Sequence, residues 1–362
     1  MQTNTIELCK KIFHRYESQH TIEAYYGLLA YYALAQVAET VHDETLRAKC
    51  KEYLGQYPDK FPHPRYNFES YRVGGNGKAW MFFQQLAPEW EADLRKYADM
   101  TMDAPVDDQG ILCHPRSPEV YKIWIDVVTC TTPFMLFVGL ALQEEKYIDF
   151  AVDQCIKMYD CFMDKTCGLL HQAKGFMENA KQVSADHWSR GNGWGYLGLA
   201  ELLRYLPAES KHRAKVEEYF IDHTDALLAH QAKNGLWRQE IPEELSWYES
   251  SGTGLILYGL GIGLRKGVLQ GDKYRGAFEK GIHALAKYCL TEDFATHYSC
   301  PGCLCPGEGA EKGTVKAYLT EKAPETDEVH SYGCMMLAFL EASKNGITNV
   351  EISNKIERRA WL

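Results

Sequence analysis

A single carboxylate among apolar neighbours is the first group in the sequence that could do acid–base chemistry. Asp126 stands between Ile125, Val127 and Val128 at the start of an apolar segment. The removal of water by such neighbours raises the pKa of a carboxyl group toward neutrality. Asp126 is therefore a candidate general acid and base that holds a proton at pH 7 and gives it up. The alternative is a buried Asp that hydrogen-bonds to the backbone or to Thr129.

A loop with two tryptophans, an arginine and an asparagine has the composition of a site for sugars and carboxylates. It reads His-Trp-Ser-Arg-Gly-Asn-Gly-Trp-Gly-Tyr over 187–196. Trp188 and Trp194 can stack on sugar rings, and Arg190 can clamp a carboxylate with two parallel hydrogen bonds. Asn192 can cap the following helix, where free N–H groups favour an anion. The alternative is a glycine-rich helix start in which the tryptophans anchor the core.

Three further segments carry polar or metal-binding side chains in weaker patterns. Glu249 precedes two serines and a glycine-rich apolar helix, which fits a helix cap as well as a cleft wall. His297 and the cysteines at 300, 303 and 305 could ligate zinc, but the spacing is irregular, so we predict no metal site. His330 lies at an acidic helix start and could face a cleft.

Composition and missing motifs exclude several classes of protein. The sequence has no phosphate-binding glycine-rich loop, no Gly-x-Ser-x-Gly elbow and no His-Glu-x-x-His pair, so no cofactor is predicted. Lys and Arg number 39 against 49 Asp and Glu, and the resulting net charge of −10 argues against a nucleic-acid partner. No stretch of about 18 apolar residues could span a membrane.

The cysteines and the N-terminus bear on the compartment. Most of the 12 cysteines among 362 residues lie in apolar segments, and they are too dilute for a disulfide scaffold. The N-terminus lacks the basic patch and apolar run of a signal peptide. We therefore predict free buried thiols and a cytoplasmic protein.

The elements that must position these residues are helices. Apolar residues recur at spacings of three and four, and segments that are apolar on most faces alternate with amphipathic, charged ones. The apolar segments begin near Thr21, Gly77, Trp124, Asn192, Ser251 and Val329. The charged segments run over about 5–17, 44–57, 89–104, 146–164, 211–232 and 272–290. Strand patterns are short, and the best cover 168–171 and 235–238.

Six inner helices ringed by six outer ones would close into a toroid, so we predict an all-α (α/α)6 barrel with a single cleft at one end. The long loops carry Trp, His and Arg, and a barrel gathers such loops around one opening. An open solenoid of helix pairs is the alternative, although solenoids usually keep a stricter repeat length. No Pro-, Gly- or Ser-rich linker divides the chain, so residues 1–362 are predicted to form one domain.

In their order along the chain, these motifs resemble the unsaturated rhamnogalacturonyl hydrolases of glycoside hydrolase family 105 and their relatives in family 88. The resemblance spans roughly residues 70–345 and rests on Trp124-x-Asp126, His171, the Trp-x-Arg-Gly-Asn-Gly-Trp run over 188–194, Gly235-Leu236-Trp237 and Glu249-Ser250-Ser251-Gly252. It implies the (α/α)6 barrel and an oligosaccharide substrate with a 4,5-unsaturated uronic acid at the non-reducing end.

The resemblance also implies hydration of a vinyl ether. Asp126 would protonate C4 and then take a proton from the water that adds at C5, and the hemiketal would open to release the next sugar. One carboxyl group can serve both steps, whereas ordinary glycosidases need two. By the same resemblance, His171 and Arg190 lie beside the uronate and Trp194 forms part of a sugar platform. The full predicted substrate site adds Asn76, Trp124, Trp188, Asn192 and His330.

One stretch departs from the family pattern. The family usually has an Asp-His-x-Asn-like run near an N-terminal inner helix, and the matching residues here are Val73-Gly74-Gly75-Asn76, where the Asn matches and the acid does not. Asp107 or Asp108 could compensate from another loop. Another activity on this barrel, such as a sugar epimerase or a two-carboxylate glycosidase, and a non-catalytic carbohydrate-binding protein are the alternatives. The sequence leaves open the parent uronate, the neighbouring sugar and the oligomeric state.

Overall fold

Helices dominate the computed structural model, which describes residues 1–22, 24–57, 75–114 and 121–353. Within these ranges it contains twelve α-helices of eight or more residues and one shorter α-helix, besides two 3₁₀ helices of three residues each. In chain order they are α1 (Thr5–Gln19), α2 (Tyr25–Val41), α3 (Glu44–Gly55), α4 (Asn76–Phe83), α5 (Glu91–Met102), α6 (Asp126–Leu142), α7 (Glu145–Phe162), α8 (Ser189–Tyr205), α9 (Arg213–Ala229), α10 (Ser250–Arg265), α11 (Asp272–Cys289), α12 (Val315–Thr320) and α13 (Ser331–Lys344).

Six of these helices form a closed inner ring. Helix α2 packs against α4, α4 against α6, α6 against α8, α8 against α10 and α10 against α13, and α13 returns to α2. The outer helices cover this ring, as α7 covers α6 and α1 covers α13. The predicted (α/α)6 barrel is therefore confirmed. The open solenoid is wrong, because the first and last inner helices touch.

Burial explains why the sequence contains two kinds of helix. Every residue of α6 over 126–139 is buried, so this inner helix keeps no polar face along that stretch. The outer helix α11 buries Phe278, Ile282, Leu285 and Cys289, which recur at the spacing of one helical face, while its other side carries charges. Full burial of one large apolar side chain stabilises a fold by about 1.5–3 kcal/mol, so this alternation favours two concentric layers.

Two small sheets fix positions that matter for the site. Strand β1 (Gln2–Asn4) pairs antiparallel with β4 (Asn349–Glu351) and joins the first and last described elements. Strand β2 (Ile123–Trp124) pairs antiparallel with β3 (Ala173–Lys174). The Ile125 N–H donates to the Gln172 carbonyl at 3.0 Å, which fixes the point where α6 begins.

The strands predicted at 168–171 and 235–238 are wrong. These segments contribute only isolated bridges, from Leu170 to Met163 and from Arg238 to Tyr248. Each is a tight return of the chain after an outer helix, so neither finds the second partner that would extend it into a ladder. The prediction of one domain stays a prediction.

The thiols and the helix lengths bear on the predicted compartment. All 12 cysteines are free, which confirms that part of the prediction. Among the described residues, no helix combines the length and the apolar character needed to cross a membrane.

Candidate active site

Polar side chains collect at one end of the barrel because the inner helices begin there. Contacts between side chains at or next to the first residue of each helix link the starts of these helices. The residues are Tyr25 on α2, Asn76 on α4, Asp126 on α6, Arg190 on α8, Ser251 on α10 and His330, which precedes α13.

Asp126 is the first residue of α6, and only 3% of its surface is exposed. Burial raises the pKa of its carboxyl group to about 8, although the Arg190 charge and hydrogen bonding from Trp124 and Tyr25 act in the opposite direction. This is the direction expected from its apolar neighbours. The carboxyl group is therefore largely protonated at neutral pH and close to its own titration point.

A line of polar atoms runs from Asp126 through the barrel mouth to Glu328. The Tyr25 hydroxyl lies 3.4 Å from Oδ2 of Asp126 and 3.1 Å from Nε2 of His330. On the other side of the imidazole, Nδ1 of His330 lies 2.6 Å from Oε1 of Glu328. The starts of three inner helices, α2, α6 and α13, are thus joined through side chains.

Glu328, at the end of this line away from Asp126, determines which groups along the line donate hydrogen bonds and which accept them. Burial would raise the pKa of Glu328, but His330 and Arg190 lower it to about 2, so Glu328 is ionised and only accepts. Burial also lowers the pKa of His330, which leaves a neutral ring that donates from Nδ1 and accepts at Nε2. Tyr25 then donates to Nε2, and its oxygen can accept the proton of Asp126.

The Arg190 side chain links α8 to the start of α10 and to the loop that contains Cys300 and Pro301. Its side chain is 1% exposed, and Nη1 donates to the Ser251 hydroxyl at 3.1 Å and to the Cys300 carbonyl. Its Nη2 donates to the Pro301 carbonyl at 3.0 Å. Both terminal nitrogens already have protein acceptors, so these contacts give no support to a bidentate carboxylate clamp, which stays a prediction.

The charge of Arg190 still acts on the site. Two buried carboxylates lie near its guanidinium, with Nη1 3.9 Å from Glu249 Oε1 and 4.0 Å from Glu328 Oε2. The same charge lowers the pKa of Asp126 against the larger effect of burial. Arg190 is therefore a positioning and charge-balancing residue for the line of polar atoms.

Glu249 is the cap of α10. Its side chain accepts hydrogen bonds from the N–H groups of Ser251 at 3.1 Å and Gly252 at 2.5 Å. A Cβ atom on Gly252 would come within 2.7 Å of the backbone nitrogen of Arg190, so only glycine allows α10 to approach α8 this closely. The cap interpretation of Glu249 is confirmed, and the cleft-wall alternative is wrong.

Trp188 is packed behind the site. It is 1% exposed, and the Arg190 guanidinium lies over its ring at 4.4 Å from the centroid. Cys300, Cys303 and Tyr318 surround it in a small apolar cluster. The predicted stacking of Trp188 on a sugar is wrong, because this ring supports Arg190.

Trp124 and Trp194 lie next to Tyr25 and hence next to the acid. Both rings meet the Tyr25 ring edge-on, with centroids 6.3 Å away for Trp124 and 5.8 Å for Trp194. Trp124 also acts on Asp126 by lowering the pKa of its carboxyl group. Trp194 is fully buried and lines a small cavity beside the acid, and its part in a sugar platform stays a prediction.

Pro133 explains the position of Asn76. A proline inside a helix has no N–H, so the carbonyl four residues earlier, that of Thr129, lacks its helical donor. Nδ2 of Asn76 donates to this carbonyl at 2.6 Å. Asn76 thereby joins α4 to α6 one turn after Asp126.

A small cavity of about 10 Å³, which is room for one water molecule, lies one turn along α6 from the acid. Within the described residues, Oδ1 of Asn76 and Nε1 of Trp194 are buried there and make no hydrogen bond. A water molecule in this cavity could satisfy both atoms. The cavity is lined by Tyr25, Leu29, Asn76, Thr129, Cys130 and Trp194.

Asn192 is a structural clamp. Its Oδ1 accepts from the Leu170 N–H at 2.8 Å, and its Nδ2 donates to the Leu170 and Trp188 carbonyls at 2.9 and 3.1 Å. His223 adds a fourth contact at 3.1 Å. All polar atoms of this buried side chain have protein partners, so both the predicted substrate contact and the predicted helix cap are wrong.

His171 lies in a different cluster from the acid. Nδ1 of His171 is 2.9 Å from the Asp186 carbonyl oxygen, and its ring packs against His187 with centroids 4.9 Å apart. The predicted position of His171 beside the uronate has no support from these contacts.

The family pattern has an Asp at the position of Val73, and the contacts of Asp107 do not fit a substitute for that acid. Val73 and Gly74 lie outside the described residues. Oδ1 of Asp107 accepts from the N–H groups of Gln109 and Ile111 at 2.9 Å, and Oδ2 lies 3.4 Å from Lys174. Asp107 therefore holds its own turn.

The side chains of the cysteine-rich loop point to separate partners. Sγ of Cys305 lies 3.1 Å from Sδ of Met177, and Nδ1 of His297 lies 2.5 Å from the Thr326 hydroxyl. The structure therefore does not bring His297 and Cys305 together as one set of ligands.

Sequence reasoning missed Tyr25 and the role of Glu328. Tyr25 is one of several aromatic residues on an apolar helix, and Glu328 is one of three acids before α13. Their positions along the chain could have identified them, because each inner helix carries a polar or aromatic side chain at or near its first residue.

The closed double ring, with a buried acid of raised pKa at its mouth, defines an (α/α)6-barrel protein of the carbohydrate-active class. The chain belongs to Glycosyl Hydrolase Family 88, which matches residues 5–345. The family resemblance seen in the sequence is thereby confirmed.

Curated relatives carry related names. The chain is 33% identical over 179 residues to an unsaturated 3S-rhamnoglycuronyl hydrolase of Formosa agariphila, and this match covers 47% of each protein. It is 24% identical over 239 residues to the unsaturated rhamnogalacturonyl hydrolase YesR of Bacillus subtilis, over 63% of this chain and 67% of that protein. The match to the Formosa protein thus spans about half of its length.

Solved structures share the fold. A family 105 glycoside hydrolase of C. acetobutylicum superposes with a TM-score of 0.80 at 19% identity, over 94% of this chain and all of that one. The unsaturated glucuronyl hydrolase of Bacillus sp. GL1 gives a TM-score of 0.66 at 16% identity, over 96% and 97% of the two chains.

Proposed function

We propose that this protein removes a 4,5-unsaturated uronic acid from the non-reducing end of oligosaccharides left by polysaccharide lyases, by hydration of the C4=C5 vinyl ether. The observation that carries this proposal is the buried carboxyl group of Asp126, with a pKa of about 8. The names of the curated relatives support the substrate class.

One carboxyl group serves both halves of the reaction. Protonated Asp126 gives its proton to C4, the π electrons form the new C–H bond, and positive charge develops at C5 and the ring oxygen. Asp126, now ionised, takes a proton from the water molecule whose oxygen bonds to C5. The resulting hemiketal opens and releases the neighbouring sugar. A pKa near the operating pH suits a group that must first donate and then accept.

Tyr25 assists the change of charge on Asp126. While Asp126 is protonated, the Tyr25 hydroxyl donates to His330. When Asp126 is ionised, the same hydroxyl can turn and donate to Oδ2, 3.4 Å away. Tyr25 is therefore a positioning residue in this proposal, with His330 and ionised Glu328 behind it.

The proposed uronate subsite is the barrel mouth next to Asp126. Asn76 and Trp194 offer a buried acceptor and a buried donor in the small cavity beside it. Two curated relatives have rhamnoglycuronyl in their names and a third has rhamnogalacturonyl, so we propose rhamnose for the next subsite. We also propose a single-domain, cytoplasmic protein, since all 12 cysteines are free thiols.

The test is a panel of lyase-generated disaccharides, with galacturonate- and glucuronate-derived members, followed by the ultraviolet absorbance of the C=C bond. The wild-type protein should abolish this absorbance, and Asp126→Asn should reduce the rate by at least ~10²-fold while the far-ultraviolet circular dichroism is unchanged. Near-normal turnover by Asp126→Asn would remove this residue from the mechanism. Binding without turnover by the wild-type protein would favour the non-catalytic alternative.

A further inference from the structure

A second cluster of polar side chains lies where α7 ends and α8 begins. Nε2 of His187 lies 3.1 Å from Oδ2 of Asp164 and 3.5 Å from Sγ of Cys167. These three atoms lie within 4.8 Å of one another, and each residue is half-buried. Across the described ranges, no other His, Cys, Asp and Glu group of three is close enough to hold a metal ion.

We propose that Asp164, Cys167 and His187 bind a zinc ion, with water in the fourth position. Zinc bonds to sulfur at about 2.3 Å and to nitrogen at about 2.0 Å, so tetrahedral ligands of these two kinds lie about 3.5 Å apart. Sγ of Cys167 and Nε2 of His187 have that separation. A thiolate and an imidazole favour zinc over magnesium or calcium.

The surroundings of His187 turn the correct nitrogen toward the cluster. Oε1 of Glu240 lies 3.9 Å from Nδ1 of His187 and also accepts the His187 backbone N–H. A carboxylate behind the non-coordinating nitrogen is the usual support of a zinc-bound histidine. Glu240 is fully buried, and among the described residues its Oε2 has no hydrogen-bond partner.

Asp164 divides its two oxygens between the turn and the cluster. Oδ1 accepts from the Thr166 N–H at 2.8 Å and from the Thr166 hydroxyl at 2.7 Å. This leaves Oδ2 directed at His187. The hydrogen bonds of Oδ1 also fix the turn that carries Cys167, next to the proposed position of the metal ion. His171 packs against His187 and is held by the Asp186 carbonyl, which fixes the other side of the ring.

A zinc ion here would join the turn after α7 to the start of α8. His187 directly precedes the Trp188–Arg190 segment, which supports the line of polar atoms at Asp126. The ion would therefore stabilise this segment. The inference stands on the cluster alone and does not depend on the proposed hydrolase activity.

The experiment uses Co²⁺ as a spectroscopic probe on the full chain after treatment with EDTA and dialysis. One equivalent of Co²⁺ should give the visible bands of a tetrahedral site and the charge-transfer band of a thiolate ligand, and Zn²⁺ should displace it. Cys167→Ser should abolish the charge-transfer band. Glu240→Gln, which keeps the acceptor for the His187 N–H, should weaken Zn²⁺ binding ~10-fold or more.

The matched control is Cys161→Ser, because Cys161 and Cys167 are the two cysteines that are not fully buried. This variant should keep the spectrum of the wild-type protein. A missing charge-transfer band in the wild-type protein, or a band that survives in Cys167→Ser, would overturn the proposal. Because the readout is metal binding, failure here leaves the test of vinyl-ether hydration untouched.

Discussion

The hydroxyl group of Tyr25 lies 3.4 Å from Oδ2 of Asp126, although the two residues are 101 positions apart in the chain. The contact exists because α2 and α6 both begin at the same end of the barrel. The Tyr25 hydroxyl also lies 3.1 Å from Nε2 of His330. It can therefore donate its hydrogen bond either to the carboxyl group of Asp126 or to the imidazole of His330. The protonation of Asp126 is therefore coupled to residues from three helices.

Tyr25→Phe should change the pH dependence of the reaction. The rate of the wild-type protein should fall as pH rises through about 8, because the reaction needs protonated Asp126. Hydrogen bonding from Tyr25 lowers the pKa of Asp126, so its loss should move this fall to higher pH and reduce kcat ~10-fold. The measurement is kcat and kcat/KM against pH for both proteins.

The control for this experiment is Tyr31→Phe on the same helix, since Tyr31 packs against Phe13 and Tyr53 on the outer side. It should leave the profile unchanged. An alkaline limb at the same pH in Tyr25→Phe and wild type would show that Tyr25 does not act on Asp126.

Asp126→Asn should alter stability in a pH-dependent way. The pKa of Asp126 is about 8 in the folded protein because of burial, compared with an ordinary value of 3.8. Between these pH values the folded chain holds a proton that the unfolded chain has released, so the free energy of unfolding falls as pH rises. The amide introduced by this substitution does not titrate, so the variant should gain stability relative to the wild-type protein from about pH 4 to about pH 8.

Urea unfolding at a series of pH values checks this, with the difference between the two proteins levelling off above about pH 8. A difference that stays constant across this range would mean that Asp126 ionises normally in the folded protein.

Arg190→Ala should act mainly on stability. Removal of the guanidinium leaves the carboxylates of Glu249 and Glu328 buried without their cation, a change that typically costs about 3–5 kcal/mol. Because the terminal nitrogens already bind protein acceptors, the variant should lose affinity equally for an unsaturated uronoside and for its uncharged amide analogue. Calorimetric titration with both ligands and a thermal melt provide the measurement.

The opposite result would support the prediction from the sequence that Arg190 binds the substrate carboxylate. A selective loss of affinity for the charged ligand, with little change in the melting temperature, would place the substrate carboxylate on Arg190.

The sequence predicted the architecture better than the site. Helical periodicity located the inner and outer helices, and the apolar neighbours of Asp126 predicted its burial. Local sequence could not show which polar groups meet across the barrel. Trp188 and Asn192 have the residue types of a sugar site, yet their partners are Arg190 and Leu170.

The missed residues have the same explanation. Tyr25 gains its role from α6 and α13, which lie far along the chain. The Asp164, Cys167 and His187 cluster has no spacing typical of a zinc motif, because its third member comes from the far side of a loop. Such arrangements depend on how the ring closes, and periodicity carries no information about that.

Asn76→Ala tests the link between α4 and α6. The variant leaves the Thr129 carbonyl buried without a donor, because Pro133 cannot supply one, and this should destabilise the protein by about 1–3 kcal/mol. In a Pro133→Ala background the new N–H at position 133 can bond to that carbonyl. The cost of Asn76→Ala should therefore be smaller there.

A double-mutant cycle by urea unfolding measures this coupling, with all four proteins at one pH. The expected coupling energy is about 1 kcal/mol, the usual net contribution of one buried hydrogen bond. If Asn76→Ala cost the same in both backgrounds, the hydrogen bond to Thr129 would contribute nothing, and the conformation of Asn76 would have to depend on its neighbours in the cavity. In that case the side chain would be freer to turn toward a ligand, and the variant would lose turnover without losing stability.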